Sequence, residues 1–126
     1  MIITLMKLRH YWPVHGLAYI SCEELKTVRQ ERLLTLVIDI RDSSEYLDGH
    51  LPGTVNIPAG RLPYVWHQEI HAGDHVVVIG TSKYSLQKAA RILKRKAEVA
   101  SIQAWVAPKE KQALLWTTDK CLASNK

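Results

Sequence analysis

Two near-continuous apolar runs constrain the fold of this chain more than any other feature of its sequence. They occupy residues 34–40 and residues 75–79, and a polar segment follows each of them. Strands that are apolar along their whole length are typical of parallel sheets covered on both faces. Because helical patterns separate the runs, the sequence predicts an α/β fold in which helices flank both faces of a central, mainly parallel sheet.

Helix-start patterns support this alternation of strands and helices. Ser21 is followed three residues later by Glu24, and Asp42 is followed in the same way by Glu45. Each pair forms a capping box, in which two side chains bind backbone N–H groups that the helix leaves without partners. We therefore expect one helix to begin after Ser21 and another after Asp42.

The second half of the chain continues the pattern. A polar loop over residues 80–84 precedes apolar residues at helical spacing, which predict a helix over residues 85–97. A strand near residues 99–102 and a helix over residues 109–116 follow. Ligands of such sheets bind beyond the carboxyl ends of the strands, and this rule places residues 39–42 near the polar loop.

The length of 126 residues suits a single domain. We expect an N-terminal arm over residues 1–16, the domain over 17–116 and a polar tail over 117–126. Cys22 and Cys121 are the only cysteines, which predicts neither a disulfide framework nor a zinc site and favours a cytoplasmic setting. The apolar start of six residues is too short for a membrane span, so no membrane association is expected.

Positive charge is concentrated in one segment of the chain. The net charge is +5, and residues 76–97 contain no Asp or Glu. The basic residues of this segment are Lys83, Lys88, Arg91, Lys94, Arg95 and Lys96. They suit the solvated face of a helix or a site for an anionic partner. Binding to nucleic acid is not expected, because aromatic residues do not alternate with the basic ones.

Residues 39–58 read DIRDSSEYLDGHLPGTVNIP, and this stretch resembles the first half of a rhodanese-like domain, of the sulfurtransferase superfamily. Eleven positions fit the family pattern in order and spacing: Asp39, Arg41, Glu45, Tyr46, Gly49, His50, Pro52, Gly53, Asn56, Ile57 and Pro58. The resemblance covers residues 18–105 and implies the family's α/β fold. It also implies that Asp39, Arg41 and His50 support loops rather than react.

The resemblance fails where the family carries its chemistry. In the family, the strand equivalent to residues 76–79 leads into a cysteine that holds the transferred sulfur as a persulfide. Gly80 occupies that position here, and Ser85 stands where many members have arginine. Many members also have a glycine pair before a tryptophan after the last strand, whereas Gln103 and Ala104 precede Trp105. The scaffold is therefore expected without its nucleophile.

The sequence accordingly predicts a catalytically inactive domain that binds a small anion or regulates a protein partner. The predicted anion-binding loop comprises Gly80, Thr81, Ser82, Lys83, Tyr84 and Ser85. Backbone N–H groups at a helix start, together with a lysine, suit a small anion. Neither hydroxyl of Thr81 or Ser82 replaces a thiolate as a sulfur acceptor, because an unactivated hydroxyl is a weak nucleophile.

An enzyme remains the alternative prediction. A thiosulfate-type sulfurtransferase could use Cys22 or Cys121, which lie outside the usual loop. A phosphatase is not expected, because residues 80–85 contain neither cysteine nor arginine. No cofactor and no metal are expected, since His67 and His71 suit a polar helix end better than a metal site. The oligomeric state is left open.

Overall fold

The structure is a computed structural model that describes residues 17–31 and 35–108. Its strands are β1 Ala18–Tyr19, β2 Leu36–Asp39, β3 Val55–Asn56, β4 His75–Gly80 and β5 Ser101–Val106. Its α-helices are α1 Cys22–Glu31, α2 Ser43–Asp48, α3 Leu62–Val65 and α4 Lys83–Ile92. A 3-10 turn, Trp66–Gln68, follows α3, and a π-helical turn, Leu93–Ala97, extends α4. The predicted arm, final helix and polar tail lie outside the described residues.

The five strands form one sheet in the order β1-β5-β4-β2-β3. Every pairing is parallel, with Asp39 beside Ile79 and Gly80 beside Val106. The longest strands, β4 and β5, lie at the centre, where both edges of a strand find hydrogen-bond partners. This arrangement confirms the predicted α/β fold with a parallel sheet.

Alternate residues of the central strand face two separate cores. Val76 and Val78 pack in one core, which also contains residues of α3, α4 and the π-helical turn. Val77 and Ile79 pack in the other core, beneath Leu25 of α1. Successive side chains of a strand point to opposite faces, so an apolar run without interruption fits a strand that is covered on both sides.

The two capping boxes have different outcomes. Ser21 and Glu24 cap α1 reciprocally: Glu24 N–H donates to Ser21 Oγ at 3.1 Å, and Ser21 N–H donates to Glu24 Oε1 at 3.2 Å. The prediction for Asp42 is wrong in its detail, because the Asp42 side chain makes no capping hydrogen bond to α2. The helix still begins at Ser43, with Tyr46 N–H donating to the backbone carbonyl of Asp42.

Several boundaries differ from those that the sequence predicts. Gly80 is the last residue of β4 rather than the first of a loop, and α4 begins at Lys83 rather than at residue 85. The last strand runs through residues 101–106, beyond the predicted 99–102, because it pairs along the whole of β4. The two-residue strand β1 was not predicted. Within the described residues, no helix has the length and apolar character needed to cross a bilayer.

Candidate functional site

The carboxyl end of β4 lies between the ends of β2 and β5. Ile40 N–H donates to the carbonyl of Ile79 at 2.9 Å, and Ala107 N–H donates to the carbonyl of Gly80 at 2.7 Å. The strand end is therefore held on both sides by backbone hydrogen bonds. The segment that follows Asp39 lies beside the segment that follows Ile79, as the rule for parallel sheets predicts.

Gly80 is closely surrounded by apolar side chains. A Cβ atom at this position would lie 3.1 Å from Leu86 Cδ2 and 3.2 Å from Ile40 Cγ1. These distances are shorter than ordinary van der Waals contacts, so any side chain here would displace its neighbours. Both Ile40 and Leu86 are buried in the core that lies on the α4 side of the sheet. The side chain position at Gly80 thus points into packed apolar groups.

Ser82 and Ser85 satisfy much of the polar loop internally. Ser85 N–H donates to Ser82 Oγ at 3.2 Å, which makes Ser82 the N-cap of α4. The two hydroxyl oxygens are 2.6 Å apart, and Ser85 Oγ also donates to the Ser82 carbonyl at 3.2 Å. Sequence reasoning missed this cap, although a serine before a helical pattern is the usual signal for one.

Lys83 and Tyr84 occupy the first turn of α4, and both side chains are exposed. Lys83 Nζ lies 5.2 Å from the centre of the Tyr19 ring, within the range of a cation–π interaction. Gln87 Nε2 donates to the Tyr19 hydroxyl at 2.7 Å. The start of α4 is thereby joined to the end of the edge strand β1.

Asp39 and Arg41 form a buried ion pair at the end of β2. Arg41 Nη2 lies 2.9 Å from Asp39 Oδ2, and Arg41 Nε is 3.1 Å from both carboxylate oxygens. Arg41 Nη2 also donates to the carbonyl of Gly49 at 2.7 Å. The pair therefore fixes the segment after β2 to the end of α2. Ile40, between the two charged residues, is the part of this segment that touches Gly80.

His50 belongs to a compact polar turn between α2 and β3. Its ring stacks on the ring of Tyr46, with centroids 3.7 Å apart, and its Nδ1 lies 2.6 Å from the Tyr46 carbonyl. The Tyr46 hydroxyl donates to the carbonyl of Thr54 at 2.7 Å. Asn56 Nδ2 connects this turn to β2 by donating to the carbonyls of Asp39 and Arg41, each at 3.0 Å.

These contacts define how the predicted loop-supporting residues are placed. Asp39, Arg41 and His50 shape the connection between β2 and β3, and the described contact to Gly80 comes from Ile40. It stays a prediction that these three residues support residues 80–85. They would do so indirectly, by fixing the backbone at the end of β2. Ile40 and Leu86 were not singled out from the sequence, because apolar residues in a predicted core carry no signal for a particular site.

Cys22 lies on the other side of the sheet from the side chain position of Gly80. It is 2% exposed and packs in the core that contains Val77 and Ile79. A cavity of about 280 Å³ lies beside this part of α1. The described residues that line it are Cys22, Leu25, Lys26, Arg29, Gln30, Leu51 and Pro52. Cys121 lies outside the described residues.

The histidines of the sequence do not assemble a metal site within residues 17–31 and 35–108, where no group of three or more His, Cys, Asp or Glu side chains has suitable geometry. His71 is paired instead with Asp74, whose Oδ2 accepts from His71 N–H at 2.8 Å. His75 Nδ1 lies 2.7 Å from the hydroxyl of Ser101 on the neighbouring strand.

Comparison with known proteins agrees with this architecture. The family model of the Rhodanese-like domain matches residues 21–106, and the chain belongs to the family of rhodanese-like domains. The chain is also similar to the TBC domain-containing protein kinase-like protein of Homo sapiens, with 30% identity over 82 residues. This match covers 56% of the chain and 9% of the human protein, so the chain spans less than a tenth of that relative's length.

Proposed function

We propose that this chain is a non-catalytic rhodanese-like module that acts by binding a partner. The observation that carries the proposal is the packing around Gly80. This residue occupies the position of the family's sulfur-carrying cysteine, and Ile40 and Leu86 fill the space into which a side chain would project. The position lacks the thiol, and a side chain there would require Leu86 and Ile40 to move by a few tenths of an ångström.

The remaining groups at the end of β4 do not supply a substitute nucleophile. Sulfur transfer by this route needs a thiolate that contacts the sulfur donor. Thr81 carries a hydroxyl, and Ser82 Oγ already caps α4 by accepting from Ser85 N–H. A hydroxyl becomes a strong nucleophile only beside a general base or a metal, and the described contacts of Ser82 are to Ser85.

The position of Cys22 argues against the alternative of a sulfurtransferase that uses a cysteine outside the loop. Cys22 is buried in the core on the α1 side, whereas Gly80 faces the core on the α4 side. The sheet separates these two positions, and a thiolate that attacks a donor must reach it directly. Cys22 is also disulfide-bonded, so it presents no thiolate to a ligand held at residues 80–85.

A protein partner is a better-supported ligand than a small anion. The predicted anion-binding loop offers the backbone N–H groups of Lys83 and Tyr84, because the first turn of a helix has no intrahelical acceptors for them. The N–H of Ser85 is already bound by Ser82, and the Lys83 side chain interacts with Tyr19. Two groups of the predicted loop are therefore already engaged within the protein. In the human relative, the matching segment is a small part of a much longer chain, which favours a module that serves other domains.

A sulfurtransferase assay tests the proposal directly. The protein is treated with thiosulfate, its intact mass is measured, and thiocyanate is quantified after addition of cyanide. We expect no mass increase of one sulfur atom and no thiocyanate above the rate in buffer. A persulfide on the wild-type protein that disappears in Cys22→Ser or Cys121→Ser would establish the enzyme instead.

The variant Gly80→Cys separates loss of a nucleophile from closure of the site. We expect it to remain inactive, because Leu86 and Ile40 crowd the new side chain. The double variant Gly80→Cys, Leu86→Ala opens the space and serves as the comparison. Strong thiosulfate turnover by Gly80→Cys alone would show that the family's pocket is intact. It would contradict the proposal that Leu86 and Ile40 crowd a side chain at this position. Titration of the wild-type protein with sulfate or phosphate, followed by backbone NMR shifts of residues 80–85, tests the small-anion prediction.

A further inference from the structure

The solvent side of α4 and of the π-helical turn carries cations and no carboxylate. We call this surface the basic face. It comprises Lys83, Tyr84, Gln87, Lys88, Arg91, Lys94 and Arg95. The opposite side of the same helix is buried through Leu86, Ala89 and Leu93, so the charged side is turned away from the protein.

The stability of the helix does not account for the charge at its start. The amino-terminal end of a helix has a partial positive charge and favours acidic residues. The first turn of α1 follows this rule with Glu23 and Glu24, and the first turn of α2 follows it with Glu45. The first turn of α4 has no acidic residue and carries Lys83. A lysine at this place opposes the helix dipole, so the dipole does not explain its position, and its described contact is with the Tyr19 ring.

The spacing of the cations is also unfavourable for an isolated helix. Lys88 and Arg91 are three residues apart, and Arg91 and Arg95 are four residues apart, so each pair lies on the same side of the helix. Like charges at these spacings repel each other. No Asp or Glu within residues 83–97 offsets them. Carboxylates supplied by a second molecule would relieve this repulsion.

Exposed tyrosines adjoin the charges. Tyr84 is 76% exposed in the first turn of α4, and Tyr19, which contacts Lys83 and Gln87, is 39% exposed. Tyrosine is enriched in protein interfaces, because its ring supplies apolar contact and its hydroxyl remains hydrogen-bonded. The contacts of Tyr19 also restrict the Lys83 and Gln87 side chains, which reduces the entropy lost on binding.

We propose that the basic face binds an acidic segment of a protein partner. Carboxylates of the segment pair with Lys88 and Arg95, and an apolar side chain packs against Tyr84. The inference deepens the proposed function, and it rests on that function only in treating the domain as a binding module. Charge complementarity selects the partner, since four exposed cations, Lys83, Lys88, Lys94 and Arg95, lie along about 20 Å of one helix beside the half-buried Arg91.

A protein segment fits this surface better than nucleic acid does. The exposed cations all lie on α4 and its π-helical turn, so a single acidic segment that runs along this helix would reach them. Surfaces for single-stranded nucleic acid place successive aromatic side chains along a basic groove so that bases can stack. The basic face has Tyr84 at one end and no further aromatic residue along its length.

Fluorescence anisotropy with the full chain tests the proposal. The probe is a fluorescein-labelled peptide of twelve residues that is rich in Glu and has one central Leu. The matched control peptide has Gln in place of each Glu. We expect the acidic peptide to bind, the control peptide not to bind, and the affinity to fall as salt is raised, because exposed charges are screened.

Charge-reversal variants locate the site. Lys88→Glu and Arg95→Glu should each weaken binding about fivefold. Each variant removes one exposed ion pair with the peptide and puts a repulsive carboxylate in its place. Arg61→Glu changes the net charge of the protein equally but lies on an exposed position before α3, and it should change affinity less than about twofold. Tyr84→Ala should weaken binding at all salt concentrations, because it removes an apolar contact. Circular dichroism confirms that the variants, all at exposed positions, remain folded.

Three results would overturn the proposal. The first is no binding of the acidic peptide at millimolar concentration, and the second is an equal loss of affinity in Arg61→Glu and Lys88→Glu. The third is tighter binding of a single-stranded DNA twelve-mer, or of vesicles containing phosphatidylserine, than of the peptide. Thiosulfate turnover is measured separately, so failure of peptide binding and failure of the non-catalytic function are distinguished.

Discussion

Gly80 and Leu86 are packed so closely that a Cβ atom on Gly80 would lie 3.1 Å from Leu86 Cδ2. Gly80 ends β4, and Leu86 lies one helical turn inside α4. The absence of a side chain at Gly80 lets the helix pack closely on the end of the strand. Gly80, which the sequence predicts to stand in place of the family's nucleophile, is therefore also part of the packing between sheet and helix.

This contact predicts a coupled effect on stability. Gly80→Ala should lower the free energy of unfolding by about 1–2 kcal/mol, because it overpacks the core. In a Leu86→Ala background the same substitution should cost clearly less, since the crowding atoms are gone. The coupling is measured by urea unfolding of the two single variants and the double variant.

Gly60 provides the matched control for this cycle. A Cβ atom at Gly60 would meet no atom within 4 Å. The effects of Gly60→Ala and Leu86→Ala should therefore add. If Gly80→Ala and Leu86→Ala are equally additive, the close approach of strand and helix is not a determinant of stability.

Because the Asp39–Arg41 pair is buried, we expect the substitution Asp39→Asn to lower the free energy of unfolding strongly. Asp39→Asn removes the charge that compensates the Arg41 guanidinium, which is held in a nearly inaccessible position. Breaking a buried ion pair by loss of one partner costs about 3–5 kcal/mol. We expect a corresponding drop in the free energy of unfolding measured in urea.

Asp42→Asn is the control, because Asp42 is exposed and its side chain makes no capping hydrogen bond. Its effect should stay within about 0.5 kcal/mol. A small effect of Asp39→Asn, similar to that of Asp42→Asn, would show that the ion pair does not hold the connection between β2 and β3.

The two helix starts predict different responses to the same kind of substitution. Ser21→Ala removes a side chain that accepts from Glu24 N–H and should cost about 1 kcal/mol. Asp42→Ala removes a side chain that makes no capping hydrogen bond and should cost only a few tenths of a kcal/mol. Thermal and urea unfolding of both variants measure the difference. Equal losses would mean that Asp42 caps α2 in solution.

Gly53 combines a positive φ angle with a close contact, so a substitution there should lower the stability of the protein. Gly53 has φ of 78°, and a Cβ atom there would lie 2.9 Å from Arg29 Nη2. Arg29 Nη2 donates to the carbonyl of Pro52, so the added methyl group would disturb a contact between α1 and the turn. Gly53→Ala should destabilise the protein by more than about 1 kcal/mol, in the urea unfolding measurement.

Gly73→Ala separates the two contributions. Gly73 has φ of 87°, but a Cβ atom there would meet open space. Gly73→Ala should therefore show the conformational cost alone and should be milder than Gly53→Ala. A larger loss of unfolding free energy in Gly73→Ala than in Gly53→Ala would refute the role of Arg29.

The local patterns of the sequence were sufficient for the fold class. The apolar runs predicted β2 and β4 as buried parallel strands, and Ser21 with Glu24 predicted the start of α1. Both signals arise within a few residues, where burial on two faces or a helix cap leaves a direct mark on composition. The same reasoning missed β1, because two exposed residues paired to β5 carry no periodic pattern.

The candidate site was predicted only in part. The position of Gly80 after an apolar run predicted that it stands in place of the family's cysteine, and this stays a prediction. The packing of Ile40 and Leu86 against it did not follow from the sequence, because these residues read as ordinary members of a core. The cap provided by Ser82 also moved the start of α4 to Lys83, which placed three of the six predicted loop residues inside the helix.

The sequence by itself determined that strands and helices alternate, because residue identity and local spacing decide this. The replacement of the family's nucleophile by Gly80 stays a prediction. Only the tertiary structure decided that Gly80 faces the α4 core and Cys22 the α1 core. Those directions depend on the register of β4 against β2 and β5 and on the packing of helices from distant parts of the chain. The same packing leaves Lys83 and Lys88 of α4 exposed.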